Sequence, residues 1–65
     1  MTNLTGRIAW VDLRNPELFE GQILCNETNR KYYFNYSVAR NLKLVHRDMP
    51  VTFTVDKYNL ILEVL

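Results

Sequence analysis

The chain has 65 residues, 48% of them apolar, with 8 Lys and Arg against 7 Asp and Glu, one His and one Cys. So short a chain forms one domain, residues 1–65, and buries only about 60% of the surface its unfolded form exposes. One cysteine excludes an internal disulfide framework, and no run approaches the about 20 apolar residues of a membrane span.

The opening MTNLTGRIAW lacks the apolar stretch of a secretory signal, so a soluble cytoplasmic module is expected. A period of two then recurs along the chain, the signature of strands. The first strand runs from about Leu4 to Val11 and gives way to a loop at Arg14-Asn15-Pro16-Glu17. The second spans about Phe19 to Cys25, and the polar Asn26-Glu27-Thr28-Asn29 turns it back. Tyr32-Tyr33-Phe34-Asn35-Tyr36 is an aromatic, strand-prone third segment. Val38 to His46 lacks alternation, and a helical turn is expected there. In the fourth strand Val51, Phe53 and Val55 alternate with Thr52 and Thr54. Asp56-Lys57-Tyr58-Asn59 suits a hairpin, after which Leu60, Leu62 and Val64 alternate with Ile61 and Glu63.

Five short strands, three then two around a longer connection, predict an all-β fold, a small antiparallel barrel. Closure lets a short chain enclose a core without long open edges. The pattern alone fits an SH3-like barrel about as well as any other five-stranded one. The expected core is Ile8, Ile23, Tyr32, Phe34, Val51, Phe53, Val55, Leu62 and Val64, with Cys25 as a small buried hydrophobe. The last strand carries Ile61 and Leu65 beyond this alternation. Such an apolar edge offers pairing with its own copy, so a monomer or a weak homodimer through the C-terminal strand is expected.

The net charge of +1 hides a division along the chain. Residues 1–27 carry −2 and residues 48–65 carry −2, whereas residues 28–47 hold Arg30, Lys31, Arg40, Lys43 and Arg47 with no acid. A basic middle thus coincides with the aromatic strand. Chemistry is not signalled elsewhere. His46 has no second ligand at metal-binding spacing, no Ser–His or Cys–His–acid set can be assembled, and the two glycines form no phosphate loop. A non-enzymatic module without cofactor or metal is expected.

The order of certain residues resembles the cold-shock domain, a five-stranded OB-fold barrel that binds single-stranded RNA and DNA. Thr5-Gly6-Arg7-Ile8-Ala9-Trp10 is similar to the family's opening strand, with a Gly and a Trp four residues later. Gly21-Gln22-Ile23 resembles the end of the first ribonucleoprotein motif, and Tyr33-Phe34-Asn35-Tyr36-Ser37 resembles the second. Val51-Thr52-Phe53 sits where the family has Val-x-Phe. The resemblance covers almost the whole chain, with one two-residue insertion between Trp10 and Gly21. The first motif departs from the family, since Glu20 and Gln22 stand where two outward Phe side chains would stack bases.

The resemblance implies an OB-fold-like barrel that binds single-stranded RNA or DNA weakly and with little sequence preference. Trp10, Tyr33 and Tyr36 would stack bases, Asn35 would hydrogen-bond a base edge, and Arg7, Arg30 and Lys31 would meet phosphates. Phe19 joins this set if the insertion bulges its strand. Simple alternation would place Trp10 in the core beside Ile8, whereas the resemblance places it outside on a bent first strand, and the latter is adopted. For Tyr33 and Tyr36 the plainer alternative is cross-strand packing; for Arg40, Lys43 and Arg47 it is a solvated loop. The competing function is a protein-interaction adaptor or inhibitor on the same barrel, suited by the acidic Glu17 and Glu20.

Overall fold

The computed structural model describes residues 2–42 and 44–65. Five strands follow in chain order: β1 (Thr2–Asp12), β2 (Glu20–Cys25), β3 (Lys31–Asn35), β4 (Pro50–Val55) and β5 (Ile61–Val64). All pairings are antiparallel, in the order β3-β2-β1-β4-β5. The fold is all-β, a curled half-barrel compatible with a small OB-like barrel. The long β1 makes the curl possible. Its first half pairs with β4 through Thr2 to Arg7, and its second half pairs with β2 through Gly6 to Asp12. The outer strands β3 and β5 curl toward each other, and the Val64 amide donates to the Val38 carbonyl at 2.7 Å.

Two close backbone approaches use the two glycines. A Cβ on Gly6 would collide with the Leu24 carbonyl oxygen, and one on Gly21 with the Trp10 carbonyl oxygen and the Phe34 ring. Neither glycine has positive φ, so lack of bulk rather than conformational freedom explains them. The left-handed positions are instead Asn29, Asp48 and Asn59, residue types whose short polar side chains tolerate them. Asp56 supports its hairpin with Oδ1, which accepts from the amides of Tyr58 at 2.8 Å and Leu60 at 3.0 Å.

The core contains Ile8, Ile23, Cys25, Tyr32, Phe34, Ala39, Val51, Phe53, Val55 and Val64. Tyr32 packs against Phe53 with ring centroids 5.4 Å apart. The expectation for Leu62 is corrected. The β4–β5 register slips between Thr54 and Val55, so that Glu63 and Ile61 are paired and Leu62 is passed over. Leu62 is 46% exposed, and Ile61 packs against the core in its place. Leu60 and Leu65 are exposed beside it. The helical turn expected after β3 is present only as tight turns, closed by Val38 to Asn35, Ala39 to Tyr36 and Leu42 to Ala39 backbone bonds. They tuck Ala39 into the core, which no periodicity announces. Among the described residues no helix is long and apolar enough to cross a membrane. Lys43 lies outside the described residues.

One carboxylate ties β1 to the β2–β3 turn. Glu27 accepts from the Thr5 amide at 2.9 Å and from its hydroxyl, and the Asn26 amide donates to the Thr5 carbonyl at 2.8 Å. The amide and hydroxyl of Thr5 hold the Glu27 carboxyl below its ordinary value of 4.5. A depressed carboxylate contributes stability that is complete above its unfolded value and is lost as pH falls through the folded one. The thermal midpoint should therefore fall between pH 5 and pH 3, and fall less in Glu27→Gln. Equal falls in the two proteins would contradict this role for Glu27.

Candidate nucleic-acid interface

Strand register decides which side chains share the outer face of β1, β2 and β3. Inward residues of β2 and β3 are Gly21, Ile23, Cys25, Tyr32 and Phe34, so Glu20, Gln22, Leu24, Lys31, Tyr33 and Asn35 point outward. On β1 the register shifts between Ile8 and Trp10: Ile8 faces Ile23, whereas Trp10 faces Gln22 and Ala9 is the extra residue. This β-bulge reverses the parity of the strand. It carries Trp10 from the side of Ile8 to the outer face, where it is 41% exposed.

The outer face consequently has three cross-strand rows. The first is Arg7–Leu24–Lys31, the second Trp10–Gln22–Tyr33, and the third Asp12–Glu20–Asn35. The rows change character from basic through aromatic to acidic. Trp10 and Tyr33 stand two strands apart, about 10 Å. Tyr33 is 53% exposed, and Gln22 lies between the two rings. The Trp10 indole Nε1–H donates to Gln22 Oε1 at 2.9 Å, which fixes the ring against the sheet.

Arg30 is exposed next to the basic row, at the end of the β2–β3 turn. Arg7 and Lys31 are exposed as well. At the other end Asp12 is neutralised by Arg14, whose guanidinium lies 2.7 Å from Oδ2. Hydrogen bonds from the Arg14 side chain and amide hold the Asp12 carboxyl below its ordinary value. Glu20 makes no close ion pair among the described residues, and its charge is felt by the Arg14 guanidinium.

The remaining expected site residues divide. Asn35 is half-buried, and its Oδ1 accepts from the Ser37 amide at 3.0 Å and from the Ser37 hydroxyl. Tyr36 is 40% exposed just past the acidic row, with its amide bonded to the Phe19 carbonyl at 2.9 Å. Phe19 does not join the rows. It is half-buried against the core, its ring edge-on to Phe34 at 6.4 Å. Arg40 lies by Glu63 and Leu62 near β5, away from the rows. His46 is exposed, its Nδ1 2.9 Å from the Arg47 carbonyl. Gln22 stands where an aromatic is expected and contributes instead through its contact with Trp10. Its outward parity was readable, but its contact with Trp10 depends on the bulge.

No protein-family model, no curated protein and no solved structure matches the chain. Residue chemistry on the barrel therefore carries the functional reading.

Proposed function

We propose that this chain is a non-enzymatic single-stranded nucleic-acid-binding module on a cold-shock-like barrel. The observation that carries the reading is the bulge at Ala9, which sets Trp10 on the outer face in one row with Tyr33, beside Arg7 and Lys31. Sequence-tolerant single-strand binding needs aromatic faces for bases next to cations for phosphates, and each stacked base contributes about 1–3 kcal/mol. Here Trp10 and Tyr33 supply the faces, with Tyr36 at the margin. Arg7, Arg30 and Lys31 supply the charge, and Asn35 a donor to a base edge. Glu20 opposes the strand's phosphates and keeps the affinity low.

Three cations predict a salt slope of about −2 for a single strand, so affinity should fall roughly fifteen- to twenty-fold between 50 and 200 mM salt. Titration of a labelled oligothymidine at both concentrations tests this, and absence of binding at 50 mM would refute the reading. Glu20→Lys should tighten binding about five-fold at the lower salt and steepen the slope by about 0.7. An unchanged affinity in this variant would place the strand elsewhere on the molecule.

A second reading, a protein-interaction module on the same barrel, is favoured by one observation. Leu13, Pro16, Phe19, Leu42, Leu44 and Val45 line an apolar hollow of about 360 Å³. Pull-down from extract with and without nuclease separates the two, since a directly bound protein survives nuclease and a nucleic-acid bridge does not.

A further inference from the structure

Strand β3 ends the sheet and pairs only with β2. Along an antiparallel edge strand, backbone groups point alternately toward the neighbour and away from it. The Cys25 amide bonds to the Arg30 carbonyl and the Tyr36 amide to the Phe19 carbonyl, so Tyr32 and Phe34 also turn their backbone groups toward β2. Lys31, Tyr33 and Asn35 turn theirs away. The Asn35 carbonyl accepts from the Val38 amide at 3.2 Å, whereas the amides and carbonyls of Lys31 and Tyr33 bond to no other element among the described residues. A hollow of about 150 Å³, with Tyr33, Asn35 and Leu60 in its lining, runs beside this edge and leaves it uncovered. On β5 the outward amide of Val64 is already bonded to the Val38 carbonyl at 2.7 Å. Strand β3 is thus the more open edge of the half-barrel.

An open edge accepts a strand, and the rows of the outer face indicate which one. An edge lysine discourages pairing in general and favours a strand that brings an acid beside it. Antiparallel pairing of β3 with its own copy, about a two-fold axis at Tyr33, sets Tyr33 against the partner's Tyr33 and Lys31 against the partner's Asn35. The basic row Arg7–Leu24–Lys31 then continues into the partner's Asn35 and the partner's Glu20. Lys31 lies two strand spacings, about 10 Å, from the partner's Glu20, within the joint reach of two long side chains, and symmetry makes the contact twice. An axis at Lys31 would oppose two lysines, and an axis at Asn35 would join two acidic rows. We infer that the β3 edge is a self-association surface, on which a second copy of this chain adds its own β3 and extends the sheet. The inference does not depend on the reading of the face as a nucleic-acid surface.

Sedimentation equilibrium of the full chain, without nucleic acid, tests it at 50 mM salt and at concentrations from about 10 μM to about 1 mM, bracketing a weak strand pair. The wild-type mass should climb toward twice that of one chain. Lys31→Glu and Glu20→Lys should each weaken the dimer about ten-fold, because each turns two attractions into repulsions. The double variant, with both charges exchanged, should recover it. Tyr33→Pro removes an amide that faces away from β2, so it should abolish the dimer while the circular dichroism stays that of the folded chain. A wild-type chain monomeric at 1 mM would overturn the inference and leave the edge to a strand of another protein. A dimer that both single charge variants keep, or that the double variant fails to recover, would overturn the β3 pairing.

Discussion

Phe34→Ala is expected to leave the chain largely unfolded near room temperature. Its side chain is 1% exposed on β3, edge-on to Phe19 and directly beneath Gly21. Truncating a buried Phe costs about 3–5 kcal/mol through lost transfer energy and the cavity left behind. A domain of 65 residues has only roughly 3–10 kcal/mol in total at ordinary stability per residue. The two ranges overlap, so this one ring decides between a folded and an unfolded majority. Urea unfolding followed by circular dichroism measures it, and a loss under about 1 kcal/mol would contradict the packing described. Phe19 should not compensate by moving inward, because its carbonyl is held by the Tyr36 amide at 2.9 Å.

The second large effect concerns binding. Trp10→Ala combined with Tyr33→Ala should weaken oligothymidine binding by at least about thirty-fold, since each stacked base contributes about 1–3 kcal/mol. Both rings are solvent-facing, so the fold should survive with a thermal midpoint close to that of wild type. Leu44→Ser, in the apolar hollow, should bind as wild type does. If instead Leu44→Ser lost binding and the double variant kept it, the strand would run over the hollow and not over the aromatic row.

Much of this architecture follows from alternation read residue by residue. The inward parity of Ile23, Tyr32, Phe34, Val51 and Phe53 is plain because β2, β3 and β4 as far as Phe53 keep a period of two, whereas Thr54 is buried along with Val55 at the end of β4. The turns are plain because Asn29 and Asn59 stand where the backbone turns left-handed. What alternation alone misses lies at two bulges. At Ala9 an extra residue turns Trp10 outward, and alternation alone would have buried it. At Leu62 an extra residue turns a leucine outward that alternation placed in the core. A bulge changes parity without any change in composition, so only the partner strand reveals it. Ala39 escaped for another reason, since an irregular turn buries a small side chain with no repeat to mark it. The charge division had the same limit. Lys31 does lie in the row next to the aromatic one, with Arg30 beside it, but Arg40 ends beside Glu63, because the turns after β3 carry it to the β5 side.

The most direct measurement is an amide and side-chain chemical-shift map of the labelled protein titrated with oligothymidine at 50 mM salt. Perturbations should concentrate on Arg7, Trp10, Gln22, Lys31 and Tyr33, with the Trp10 indole N–H among the largest because its bond to Gln22 lies at the centre of the face. Leu13, Leu18 and Leu44 should stay in place. Shifts confined to those leucines, or no shifts at millimolar oligonucleotide, would contradict a nucleic-acid-binding face on β1, β2 and β3.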